Sequence, residues 1–516
     1  MLVTKEELTK VDFSSFKERY EATEINWSEF YNNAGVEHYK LLAYLSTQYA
    51  GRDIIDIGTH RGASSIALAY KPDNKVYSFD IEHKYVLPKL KNVEYLLEDL
   101  WNKDIRAKWE AIVLGSAFIF LDIDPHEGGR EYEFYLWLKQ KEYKGFVICD
   151  DIWYFKPMRD NFWYKIPGKE KIDVTELAHW SGTGIIRFVE SDLWPKREMK
   201  TNWTVVTAYF DLTKMSDASQ QIKERDLQHY LVNAIATLSL EQNLVIYCEP
   251  ENVDLLRSFR PSWLLDRTSF VTMSFEDFPL TKYRDRVIGN RVRCPYNFDP
   301  RNTASYYLFC MSRYAMLQQT IAKNPFGSTH FAWLNLCIER MGFTNLIELD
   351  NVFIQDRERF STCYIDYRPK SLVENPPEYF KNGGLCSMCS GFFTGNSYYM
   401  NEFCTEIQKA FMDYLEAGYG HADEQLFSVV YFRRSELFDV YYGDYLQMIR
   451  NYVHIKEAPH APLNFLIQNS FNCGDYKTCK KGCITLLESL NNGYVNISDA
   501  DRKRLMNMYI ECCIKG

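Results

Sequence analysis

The chain lacks an excess of positive charge. Its 60 lysines and arginines stand against 69 aspartates and glutamates, a formal net charge of −9. A general nucleic-acid binder needs a basic field to collect phosphates, so that function is excluded for the chain as a whole. Also missing is any run of about 20 apolar residues, the length a membrane span requires. The first residues, Met1-Leu2-Val3-Thr4-Lys5-Glu6-Glu7, have no apolar signal core. No membrane span and a cytoplasmic location are the expectations. The 14 cysteines are scattered instead of spaced as a framework, which fits a reducing compartment. Cys386-Ser387-Met388-Cys389 falls in an expected strand, where its thiols point to opposite faces, and reads as core packing.

The G-x-G-x-x-G fingerprint of a dinucleotide site is absent as well. In its place stands Asp53-Ile54-Ile55-Asp56-Ile57-Gly58-Thr59-His60-Arg61-Gly62-Ala63-Ser64, a buried strand running through a glycine turn into a small-residue helix. Backbone N–H groups at such a helix start face a crevice, which makes a nucleotide site. Asp56 suits a ligand bearing an ammonium group better than one bearing a pyrophosphate, which it would repel. Val76 to Asp80 forms the next strand, and Asp80 lies about 20 residues on, where a ribose-hydroxyl acceptor is expected. Val93 to Asp99 is a third strand, with Asp99 positioned for an adenine amino group. Ahead of the first strand, Glu37 and His38 lie on a helix that either touches the ligand or presents a solvated face. Together Asp56, Gly58, Gly62, Ser64, Asp80 and Asp99 resemble the S-adenosylmethionine site of class I methyltransferases, over roughly the first 190 residues. The resemblance implies a Rossmann-like α/β domain.

Two further apolar runs, Ala117 to Asp124 and Gly145 to Asp151, end abruptly in carboxylates, at the edge where α/β ligands sit. Three carboxylates from neighbouring strand ends make a hard oxygen cage for a divalent ion such as Mg²⁺ or Mn²⁺. This region is similar to metal-dependent sugar and macrolide O-methyltransferases. The similarity implies Asp122, Asp150 and Asp151 as metal ligands and His126 as general base. Here the histidine is four residues after Asp122 and two after Asp124, so Asp124 is an alternative ligand and a turn-capping His126 an alternative role. His179 and Trp180 either face the acceptor or belong to a plain turn.

A fresh strand at Trp203 to Asp211 opens a second α/β unit after the charged segment Glu190 to Lys200. The ordered series Ser312-Arg313-Tyr314, Trp333-Leu334-Asn335, Ser390-Gly391-Phe392-Phe393-Thr394-Gly395 and Gly420-His421-Ala422-Asp423-Glu424-Gln425 resembles HtrL/YibB-like proteins, related to GT-A-type glycosyltransferases. The resemblance implies a nucleotide sugar as donor substrate, Arg313 on its diphosphate, close backbone approach to a sugar at Gly391 and Gly395, and Asp423 or Glu424 as acceptor base. The family's strand ends Trp-x-Asp, whereas Asn335 puts an amide where a carboxylate would hold the ion, which weakens metal binding. Two plain readings stay open: Arg313 as a surface ion-pair residue and Asp423 as a helix N-cap.

The organisation expected is residues 1–200 as a methyltransferase domain, 201–456 as a GT-A-like glycosyltransferase domain and 457–516 as a helical tail. The function expected is a bifunctional glycan-modifying enzyme that methylates a sugar hydroxyl and transfers a sugar. Its partners would be a glycan or other sugar-containing acceptor and a nucleotide sugar. The alternative is a small-molecule O-methyltransferase with a non-catalytic glycan- or protein-binding C-terminal domain.

Overall fold

The computed structural model of the protein describes residues 3–14, 36–189, 193, 202–294, 299–341, 346–353, 357–381, 385–455 and 460–515. The chain divides into two units, Met1–Glu198 and Met199–Gly516. Most of the charged stretch before Trp203 lies outside the described residues. Among the described residues no helix is long and apolar enough to cross a membrane.

The first unit is built on β1 (Asp53–Ile57), β2 (Lys75–Asp80), β3 (Val93–Leu97), β4 (Phe118–Leu121), β5 (Phe146–Cys149), β6 (Lys171–Asp173) and β7 (Gly184–Arg187). They form one sheet in the order β3-β2-β1-β4-β5-β7-β6. β1 to β5 are parallel, and β7 runs antiparallel to both of its neighbours. β1, β4 and β5 are buried along nearly their whole length, as the continuous apolar runs of a parallel sheet covered on both faces require. Leu41, Leu42 and Leu45 of the helix Val36–Thr47 pack with Ile66 and Leu68 against Phe118, Phe120 and Ile148. The direction in which successive strands are added reverses between the parallel neighbours β1 and β4, which opens a crevice at their C-terminal ends. Gly58 sits at that point with φ +102°, and a Cβ there would overlap the backbone carbonyl of Asp122. Only glycine lets β1 and β4 converge.

The second unit repeats the plan with β8 (Trp203–Tyr209), β9 (Asn243–Cys248), β10 (Thr268–Thr272), β11 (His330–Leu334), β12 (Ser361–Tyr364), β13 (Met388–Asn396) and β14 (Tyr441–Tyr442). The order is β10-β9-β8-β11-β13-β12-β14, with β13 antiparallel to β11 and β12. The reversal lies between β8 and β11. Both halves therefore have the mixed α/β class expected, each with a largely parallel sheet. The last three helices, His460–Asn472, Tyr476–Asn491 and Asp499–Lys515, send Leu463, Leu466, Cys479, Leu486, Leu505 and Cys512 into the same core as Phe360, Phe403 and Tyr364. Pro462 stands in the first turn of its helix, where a missing N–H costs nothing.

Candidate functional sites

At the β1/β4 reversal lies a cavity of about 440 Å³, lined by Gly58, Asp80, Asp99, Asp122, His126 and Asp151 among others. A smaller one of about 110 Å³ is lined by His38, Ser64, Asp122, Asp150 and His179. The Asp80 carboxylate accepts the N–H groups of His60 at 2.8 Å and Glu82 at 3.2 Å. That of Asp99 accepts the N–H of Trp101 at 2.8 Å. Gly62, at φ +83°, is the N-cap of the helix Ala63–Leu68, and a Cβ there would meet the Pro88 ring at 2.7 Å.

Asp56 corrects the sequence reading. It lines neither cavity. It is fully buried, and its Oδ2 accepts the hydroxyls of Ser65 at 2.5 Å, Ser78 at 2.7 Å and Ser64 at 3.2 Å. The residue ties β1 to β2 and to the following helix. Burial pushes its carboxyl up to about 6, against the lowering by the three hydroxyls. A carboxyl raised in the folded state carries its full penalty once ionised, so stability falls as pH rises through the window between about 4 and 6. At 1.36 kcal/mol per pH unit the penalty is about 3 kcal/mol. The wild type is expected to lose about that much unfolding free energy relative to Asp56→Asn between pH 4 and 7. A difference between the two proteins that stays constant across that range would contradict the assignment.

The strand-end acids do converge. Asp122, His126 and Asp151 bring ligand atoms within 4.8 Å of one another, as do Asp150, Asp151 and His179, so Asp151 belongs to both groups. Asp151 is held at φ +58°, a left-handed backbone that a non-glycine residue seldom adopts. His126 Nε2 lies 3.2 Å from Asp151 and 3.3 Å from Asp124, with its ring stacked on Phe155 at 4.5 Å. The Asp124 side chain is 93% exposed. His38 is buried, not on a solvated face, and lies 3.9 Å from Asp150; the side chain of Glu37 is outside the described residues. His179 stands 3.7 Å from the same carboxylate, while the adjacent Trp180 is exposed. Burial, then Asp150 and Asp151, raises the Asp122 carboxyl well above its ordinary value. Burial also works to raise Asp150, but the His38 and His179 imidazoles outweigh it and hold the carboxyl low. Contact with Asp150 raises His179 in turn. Carboxylates and imidazoles at this separation are a donor set that fits a divalent cation.

In the second unit a cavity of about 780 Å³ opens at the β8/β11 reversal. Arg313, Asn335, Gly391, Asp423 and Glu424 all line it; Gly395 does not, being paired with Phe331 within the sheet. Two of the plain readings are corrected. Arg313 is 3% exposed and donates to the Ser390 carbonyl at 2.7 Å, so it is no surface ion-pair residue. The N-cap of the helix Asp423–Arg433 is Ala422, and Asp423, one position inside it, turns its carboxylate to the Tyr314 hydroxyl at 3.3 Å and to Arg313 at 3.5 Å. Glu424 accepts the Ser390 N–H at 3.0 Å and the Tyr445 hydroxyl at 2.7 Å. Burial, then Asp423, raises it. The indole N–H of Trp333 donates to Asn335 Oδ1 at 2.9 Å. Because an indole N–H only donates, this contact fixes which way the amide faces. Sequence reasoning missed Arg225, Arg301 and Arg340, which line the same cavity. They come from separate stretches that share no motif.

The class of protein defined at this point is a two-unit α/β chain with a crevice at each sheet's reversal. Residues 201–454 match the model of the family described as bacterial protein of unknown function (HtrL_YibB). No curated protein matches the chain. Among solved structures, mouse xyloside xylosyltransferase 1 in its apo form is similar at 15% identity, covering 47% of this chain and 85% of its own, with a TM-score of 0.28. A candidate SAM-dependent methyltransferase from Streptococcus mutans is similar at 11% identity, 29% and 47% coverage and a TM-score of 0.21. A candidate methyltransferase complexed with SAH follows at 12%, 28% and 48% coverage and 0.21. The chain thus spans about half the length of these two methyltransferases.

Proposed function

We propose that the chain joins an S-adenosylmethionine-dependent O-methyltransferase to a sugar-nucleotide-dependent glycosyltransferase, both acting on a glycan. The observation that carries the first half is the meeting, in one crevice, of Gly58, Asp80 and Asp99 with the cluster Asp122, His126, Asp150 and Asp151. Asp80 accepts ribose hydroxyls and Asp99 the adenine amino group. Asp122, Asp150 and Asp151 would hold Mg²⁺ or Mn²⁺, which binds a substrate hydroxyl and lowers its pKa. His126, held against Asp151 and stacked on Phe155, takes the hydroxyl proton. In the second half the cavity takes the nucleotide sugar, and Glu424 is the acceptor base. Asp423 is committed to Arg313.

The test uses the full chain. Calorimetry is expected to register S-adenosylmethionine and its demethylated product, and methyl transfer to sugar acceptors, but not to small phenols, is expected to stop in EDTA and return with Mg²⁺. Sugar-nucleotide hydrolysis is expected from the same preparation. Methylation of phenols alone, with sugar nucleotides bound but never cleaved, would favour the reading in which the second unit only binds. Absence of cofactor binding would end the methyltransferase assignment.

A further inference from the structure

The second cavity has a charge arrangement unlike that of a metal-dependent transferase. Its acids are committed to the protein: Asp423 to Arg313 and Tyr314, Glu424 to Ser390 and Tyr445, Asp366 to Arg368, and Asp444 to the turn N–H groups of Leu446 and Gln447. Among the described residues no three acids, histidines or cysteines of this cavity come within ligand distance. Asn335, where the ion would be held, carries an uncharged amide whose oxygen already accepts the Trp333 indole N–H, a weak ligand for a hard cation. A divalent cation does not fit here.

Positive charge is concentrated instead. Arg301 is paired with Asp299 through contacts of 2.6 and 2.7 Å, whereas among the described residues neither Arg225 nor Arg340 is in an ion pair. Burial first, then the charges of Arg340 and Arg301, lowers Arg225. Mutual repulsion of this kind is a cost in the empty protein and a gain once an anion arrives. Two uncompensated charges equal the charge of the divalent cation they would replace. They also match the two negative charges of a sugar-linked diphosphate.

We infer that Arg225 and Arg340, with Arg301 beside them, bind the diphosphate of the sugar donor without a divalent metal. The inference rests on the proposed donor specificity of this unit. Guanidinium groups suit the task because they make paired, charge-assisted hydrogen bonds to phosphate oxygens in fixed geometry. Asn335 adds a neutral N–H donor where the metal-dependent arrangement has a carboxylate, so the diphosphate meets no repulsion there.

The experiment titrates the full chain with UDP, GDP and dTDP by calorimetry, in EDTA and again in Mn²⁺. At least one of the three is expected to bind in EDTA with a Kd within about threefold of its value in Mn²⁺, a difference below about 1 kcal/mol. Arg340→Gln is at an exposed position and does not threaten folding. It is expected to weaken that binding by about 10- to 100-fold, as is Arg225→Gln, with Arg340→Lys intermediate. Binding only in Mn²⁺ overturns the inference and leaves the donor reading standing, as does wild-type affinity in both glutamine variants. Failure of all three nucleotides in both buffers overturns the donor reading and the inference with it.

Discussion

Asp151→Asn is expected to leave the chain folded and S-adenosylmethionine bound, while methyl transfer falls on the order of 10²–10⁴-fold. Asp151 is the one residue shared by both groups of converging donors, so its carboxylate is central to any ion held there and to the orientation of His126. Its φ of +58° makes most substitutions ambiguous, since a side chain that resists this backbone would shift the neighbouring Asp150 as well. Asparagine tolerates the left-handed region and keeps the shape while removing the charge. Cofactor affinity by calorimetry and turnover with Mg²⁺ titrated up to saturation are the two readings needed. A variant with wild-type turnover would show that the carboxylates serve only the fold.

The neighbouring acids of the second unit are expected to separate sharply. Asp423→Asn leaves the Arg313 guanidinium, 3% exposed, without its counter-charge. Removing one partner of a buried pair costs about 3–5 kcal/mol, so this variant should show a large fall in the melting temperature of the unit. Glu424→Gln keeps an acceptor for the Ser390 N–H and a group that can pair with the Tyr445 hydroxyl, so stability should hold. Its sugar transfer should fall on the order of 10²–10⁴-fold, the usual loss when a general base is removed. Equal melting temperatures for the Asp423 variant and the wild type would refute the structural assignment. Undiminished transfer by Glu424→Gln would refute the base.

The inward turn of Asp423 departs from its reading as a helix cap by a single position. A helix beginning at Asp423, with Ala422 as its cap, turns the expected capping residue inward, and hydropathy around Ala422-Asp423-Glu424 cannot resolve one residue of phase. The edges of the first sheet were far more legible. Apolar runs that stop at Asp122 and Asp150 mark the end of a buried parallel strand, because no buried strand tolerates unpaired carboxylates along its length. Asp56 stands inside a strand without breaking that rule, because it is not unpaired. Its compensation lies across the register on Ser78 of β2 and one turn away on Ser64 and Ser65, a match visible only once strand pairing is known. Arg225, Arg301 and Arg340 are the extreme case: 115 positions separate the first from the last, and the fold alone brings them to one cavity.

Gly58 carries a consequence for how this chain can diverge. Its α-hydrogen occupies the space beside the Asp122 carbonyl that any larger group would take. Position 58 is therefore closed to variation by the joining of two strands, and would be so in a protein with an empty crevice. Asp80 and Asp99 are under no such backbone restriction: both line the cavity, and their carboxylates accept N–H groups of the adjoining loops. On the proposed function, a change of ligand would be accommodated at positions 80 and 99, while the glycine at 58 would be kept for the sheet alone.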